Sequence, residues 1–179
     1  MSRVEEMTTA RVAPSQAIRL LTTTRRFEQW VAPDITIVPL TQASMLGPGD
    51  RFRLEVLGGI TFQYLVEAIT DREVVFSLRG PWSGRERWSF VADGAETIIR
   101  RVHEVDGGSP AGLLAWGTVG RPLVMAHFKL ELSRFRALAE REPGVRGEIR
   151  PTSETARDPP TAEPDAPASG DRTFPIDDV

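Results

Sequence analysis

The 179-residue sequence contains no cysteine. That excludes disulfides, thiolate metal ligands and thiol catalysis together, and it fits a reducing compartment. Histidine is nearly as scarce, with His103 and His127 alone, so metal-ligand spacing is unconvincing. No metal and no cofactor is expected. Lys129 is the single lysine among 22 basic residues, a bias that reads as a GC-rich genome rather than a site. No stretch approaches the ~18 uninterrupted apolar residues of a membrane span, so stable membrane insertion is not expected. The first nine residues are polar, with Arg3, Glu5 and Glu6 where a signal peptide would need an apolar run, and the expected location is cytoplasmic. No glycine-rich phosphate loop, nucleophile elbow or paired-carboxylate spacing stands out. A charge excess is also missing from most of the chain. Residues 143–179 hold eight acids and four arginines, which leaves 17 acids and 18 bases in residues 1–142. A near-neutral domain of mixed sign lacks the clustered cations that nucleic-acid binding uses, so no nucleic acid is expected as a partner.

What is present divides the chain in two. Half of the 14 prolines fall after residue 142, among Glu, Asp, Ser, Thr and Ala, with Phe174 as the only aromatic. Such a segment cannot bury enough apolar surface to offset its ordering entropy, so residues 143–179 read as a disordered tail. Its end, from Phe174 to Asp178, could dock on a protein partner, against the plainer reading of a solvated tail. Residues 1–142 are long enough for one domain that buries its core without a staple.

Within that domain the apolar period changes several times. Residues 3–12 read as a strand, and Pro14 opens a helix carrying Ile18, Leu20 and Leu21. A second short helix holds Phe27 and Trp30 and is closed by Pro33. Residues 35–40 form another strand, followed by a turn at Gly47-Pro48-Gly49. Then comes a meander of alternating residues: Phe52, Leu54 and Val56; Phe62, Tyr64 and Val66; Val74, Phe76 and Leu78; Trp88 and Phe90; and a last strand over residues 97–105. Gly58-Gly59 and Asp93-Gly94 mark turns, and residues 80–84 read as a loop. Short turns between consecutive strands predict an antiparallel sheet with one apolar and one wet face. After Gly107-Gly108 the period becomes helical, with Val124, Phe128, Leu132, Phe135 and Leu138 on one stripe. Residues 113–116 read as a preceding helical turn, and Pro122 as part of the long helix's first turn. The expected fold is α+β: a curved antiparallel sheet of about seven strands wrapped on a long C-terminal helix, with two short helices after strand 1.

This order resembles the SRPBCC superfamily, the START-like or Bet v 1-like helix-grip folds, and within it the polyketide cyclase/dehydrase and lipid-transport group. The resemblance rests on Ala13-Pro14 before the first helix, Phe27 with Trp30-Val31-Ala32-Pro33 at the second, Gly49 before the third strand, Gly94 with Thr97 at the last strand, and the helix from Pro122 through Phe135. It covers residues 3–142. It implies a hydrophobic small molecule held between sheet and last helix. It does not select among a carrier or sensor of a lipid, isoprenoid or polyketide, a cyclase or dehydratase, and an assembly factor that binds protein.

On that reading the ligand-binding candidates are Phe52, Leu54, Val56, Phe62, Tyr64, Phe76, Leu78, Trp88, Phe90, Ile99, Arg101, Val124 and Phe128; the plain alternative is that they fill a core. Catalytic candidates are Tyr64, Arg101 and His103. Tyr64 places a hydroxyl on an apolar face, where it needs a partner. Alternation leaves the last strand ambiguous, and the family's register puts Thr97, Ile99, Arg101 and His103 inward. An inward arginine could pin a carboxylate or an enolate, or could simply pack its stem on apolar surface. Glu86 shares a face with Trp88 and is either a pocket carboxylate or exposed at a strand end. His127, one step off the helical stripe, could serve as an acid or base but reads more simply as a satisfied or partly exposed histidine.

Overall fold

The computed structural model describes residues 2–56 and 58–141. The tail expected at 143–179, and the boundary drawn at residue 142, lie outside the described residues. Strand β1 (Ser2–Ala10) is followed by α1 (Pro14–Thr22), a 3-10 turn (Thr24–Arg26) and α2 (Phe27–Trp30). Six strands come next: β2 (Ile35–Pro39), β3 (Arg51–Val56), β4 (Ile60–Ile69), β5 (Glu73–Arg79), β6 (Trp82–Asp93) and β7 (Glu96–Gly108). The chain closes with α3 (Pro110–Ala115), a π-helical turn (Trp116–Gly120) and α4 (Arg121–Arg141).

Strands β2 to β7 form an antiparallel meander, and β1 pairs with β7 at the far edge, giving the order β1-β7-β6-β5-β4-β3-β2. Two bulges bend the sheet, at Glu67 on β4 and at Asp106 on β7 opposite Ser83 and Gly84. The second depends on glycine, because a Cβ on Gly84 would lie 1.9 Å from the Glu104 carbonyl oxygen. The inward residues of the sheet alternate as period two requires, and the α4 stripe meets them. Phe128, Leu132 and Phe135 are buried, while Val124 and Leu138 are half-buried. Trp30 and Trp88 both pack on Phe135, with ring centroids 5.7 and 5.5 Å apart. Trp88, Phe90 and Phe135 are among the most completely buried side chains, each contributing about 1.5–3 kcal/mol or more by transfer from water.

Two details differ from the pattern read in the sequence. The expected loop at 80–84 shortens to Gly80-Pro81, and residues 82–84 start β6, where Trp82 pairs with Gly108. Glycine and proline there mark a bulge and a tight reversal rather than an open loop. The C-terminal helix also begins earlier, at Pro110, with the Ser109 hydroxyl accepting from the Gly112 N–H at 3.0 Å. Pro122 falls in the first turn of α4, as expected, directly after the π-helical turn, where its missing N–H is tolerated. Gly112 lets α3 close on the start of β6, since a Cβ there would fall 1.8 Å from the Pro81 carbonyl oxygen.

Candidate functional site

Strands β6 and β7 set Glu86 directly opposite His103 and Trp88 directly opposite Arg101. Alternation puts all four on the concave face, and all four are buried. Thr97, Ile99, Arg101 and His103 therefore point inward, the register expected from the family resemblance. Glu86 is 3% exposed, a pocket-side carboxylate and not a strand-end one.

Glu86 is the hub of a connected polar network. Its Oε1 accepts from Trp88 Nε1 at 2.8 Å and from Arg101 Nε at 2.9 Å. Its Oε2 accepts from the Tyr64 hydroxyl at 3.3 Å and lies 3.5 Å from His103 Nδ1. Arg101 also donates through Nη1 to Glu131 on α4, and Glu131 Oε1 accepts from the Ala32 N–H at 3.1 Å. The guanidinium is covered by two rings, 3.8 Å from the centroid of Phe128 and 4.6 Å from that of Trp88. Arg101 thus ties the sheet to α4, and Glu131 ties α4 to the end of α2.

Burial alone would push the Glu86 carboxyl up, but the Arg101 charge and the hydrogen bonds from His103 and Arg101 outweigh it and hold it at about 2. Burial and the Glu86 charge push the Tyr64 hydroxyl well above its ordinary value, so it stays protonated. Burial opposes the Arg101 charge, but the two carboxylates raise its affinity for the proton beyond even that of a free arginine.

Two voids flank this network and share Leu54, Tyr64, Glu86, Arg101 and Glu131 as walls. The first measures about 50 Å³. Phe62, Trp82, His103 and Phe128 line its buried end, and Ile35, Ile60, Leu123, Val124 and His127 its half-buried end. The second, about 30 Å³, lies toward α1 and α2 among Phe27, Trp30, Phe52, Phe76 and Trp88. Ligand pockets more commonly span ~300–1,000 Å³, so these voids admit a small group and not a folded acyl chain.

Ten of the thirteen ligand-binding candidates border one void or both. Leu54, Tyr64 and Arg101 border both; Val56, Phe62, Val124 and Phe128 border the first; Phe52, Phe76 and Trp88 border the second. Leu78, Phe90 and Ile99 are buried away from both voids and pack as core. The three catalytic candidates, Tyr64, Arg101 and His103, converge on Glu86. His127 pairs with Asp34 through Nε2 at 2.9 Å, a satisfied histidine at the mouth of the first void. Among the described residues no group of three or more His, Cys, Asp or Glu is arranged to hold a metal, and no helix is long and apolar enough to cross a membrane.

Sequence reasoning missed Glu131. It sits three residues after Phe128 and four before Phe135, inside the apolar arc of α4, and that position was the available signal. Trp82 was missed because it falls where glycines suggested a loop, and Trp116 because it ends a short helical turn outside the apolar stripe of the long helix. Their indoles pack together at 5.2 Å, and Trp116 stacks on His103 at 5.4 Å.

The fold and site define an α+β helix-grip domain with a charged network buried on its concave face. Solved structures share the fold. Protein CV1439 from Chromobacterium violaceum matches with a TM-score of 0.61 at 10% identity, over 78% of this chain and 98% of that one. The Aha1 protein from Colwellia psychrerythraea, solved as a dimer in solution, matches with a TM-score of 0.60 at 14% identity, over 80% of this chain and all of that one. DynU16, from the dynemicin biosynthetic locus, matches with a TM-score of 0.57 at 15% identity, over 79% of this chain and 48% of its own. At these identities the likeness shows the fold alone. No family model and no curated protein matches the sequence.

Proposed function

We propose that the protein is an SRPBCC-type carrier or sensor that takes a small, largely apolar molecule between its sheet and α4. The observation that carries this reading is His103 Nε2. Among the described residues it is buried without a hydrogen-bond partner, and its ring borders the first void, whose remaining walls are mostly apolar. A buried polar atom left unpaired costs about 1–3 kcal/mol, and an occupant of the void that bonds to it recovers that cost. The void runs from this atom to the half-buried residues Ile35, Ile60 and Val124, so a ligand seats its polar end inward and its apolar part toward the mouth.

Native mass spectrometry of the purified protein, followed by solvent extraction, tests this. A stoichiometric small-molecule adduct that disappears on denaturation is expected. A clean apo mass that persists after incubation with mixed lipids and aromatic polyketides overturns the reading. It would favour the protein-binding assembly role, with which small voids agree.

A second reading, a metal-free cyclase or dehydratase, has its own observation. Tyr64, Glu86 and His103 form a connected acid–base set on the void, with the carboxylate on one ring nitrogen and the other nitrogen free. Arg101 contributes only structure to it, being held by two carboxylates. Incubation with an uncyclised polyketide separates the two readings: a carrier returns the compound unchanged, whereas a cyclase returns a product of altered mass or ultraviolet spectrum.

A further inference from the structure

The polar end of the pocket also constrains what it can bind. Among the described residues Arg101 is the only lysine or arginine that borders the first void. It is already engaged, with Nε on Glu86, Nη1 on Glu131 and aromatic rings against the guanidinium. Two carboxylates therefore stand against one guanidinium at the buried end, and at the mouth His127 is matched by Asp34. An incoming carboxylate or phosphate would add a third buried anion and find no free cation, in a medium where an unpaired charge is expensive. The pinning of a carboxylate or enolate by Arg101, which the sequence left open, has no free donor side to act through.

His103 supplies the complementary requirement. Glu86 is ionised and offers only acceptors, so its contact with His103 Nδ1 assigns the ring proton to that nitrogen. In the neutral ring Nε2 is then a lone-pair acceptor, buried and without a partner among the described residues. It calls for a donor. Trp82 Nε1, which can only donate, is likewise buried and unpaired, and its ring borders the same void.

Building on the ligand-binding reading, we infer that the buried end of the ligand is a hydrogen-bond donor without negative charge, an alcohol or an amine, received by His103 Nε2. A hydroxyl could answer both His103 and Trp82, whereas an ammonium could answer His103 and the surplus carboxylate charge.

Three probes with one thin tail test the inference on the full chain at pH 7.5: 1-hexanol, hexylamine and hexanoate, titrated by ligand-observed NMR. The alcohol, the amine or both are expected to bind at least about 10-fold tighter than hexanoate, and whichever is stronger identifies the head group. Hexanoate binding as tightly as either, or tighter, overturns the inference while leaving the ligand-binding reading intact. Failure of all three to bind overturns both and leaves water as the occupant. A second readout uses the wild-type protein: long-range 1H–15N spectra of His103. Binding is expected to shift Nε2 more than Nδ1. An unmoved Nε2 in the presence of bound alcohol or amine rules out the proposed contact.

Discussion

Arg100 and Arg101 are consecutive residues on β7, and they face different worlds. Arg100 lies on the wet face, bonded to Glu5 of β1, with both side chains roughly two-fifths exposed. Arg101 lies on the concave face, 6% exposed, between two carboxylates and two aromatic rings. The first pair exchanges one water-screened environment for another and contributes little. The second exists only because three charged side chains from two strands and a helix were removed from water together, so that each depends on the others. Buried ion networks are weak grounds for stability as such, since apolar residues of equal volume often do as well. Their position on the wall of a void, beside an unpaired imidazole nitrogen, is what turns this one from a packing curiosity into a candidate site.

Breaking the inner member is the severest test of the contrast. Arg101→Met leaves Glu86 and Glu131 buried without their cation, and a loss of about 3–5 kcal/mol is expected in urea unfolding. Combining it with Glu86→Gln and Glu131→Gln removes the stranded charges and is expected to restore part of that loss. A cost below about 1 kcal/mol for Arg101→Met alone would mean that water reaches the two acids, and the network would then be a wet cleft instead of a buried hub.

Acid sharpens the same comparison with a smaller effect. The folded-state Glu86 sits at about 2, below its ordinary 4.5, so the carboxylate form is the one that folding favours. Its contribution is therefore complete above pH 4.5 and is lost as pH falls toward 2. By pH 3 the loss from this residue is about 2 kcal/mol. Unfolding free energies from urea titrations at pH 6 and pH 3 should diverge by that amount more in wild type than in Glu86→Gln. Equal pH dependence in the two proteins would show that folding leaves the Glu86 carboxyl at its ordinary value.

Much of this contrast was legible beforehand, because a strand's side chains alternate strictly. Once Thr97 and Ile99 are placed inward, Arg101 and His103 must follow, and Arg100 must face out. Glu86 was likewise bound to Trp88 by the two-residue period. The helical partner was harder. A glutamate within an otherwise apolar stripe is more often read as the edge of the stripe, and only the arginine across the gap reveals that Glu131 belongs inside. The continuous helix from Pro110 to Arg141 was masked by five glycines and two prolines from residue 107 to residue 122. Gly112 permits a close approach, and Pro122 follows a π-helical turn, neither of which local propensity records. The void sizes were beyond the sequence entirely, since ten inward aromatic and aliphatic residues can leave a pocket or fill it according to rotamers that no spacing fixes.

The smallest expected effect is at Arg100, and it bears most directly on the comparison because the two arginines share a strand and a sequence neighbourhood. Arg100→Ala removes the bond to Glu5 and a solvent-facing stem, while β1 and β7 keep their backbone ladder from Ser2–Val105 to Ala10–Thr97. Glu5 loses the hydrogen bond that chiefly lowers its carboxyl, but it keeps water and Arg3. The melting temperature should stay within about 2 °C of wild type, with the difference vanishing in 0.5 M salt. A fall matching that of Arg101→Met, and persisting in salt, would show that the sheet's outer face carries structural charge pairs of its own. Burial would then no longer be what separates these two arginines, and the case for the inner network as a site would rest on His103 alone.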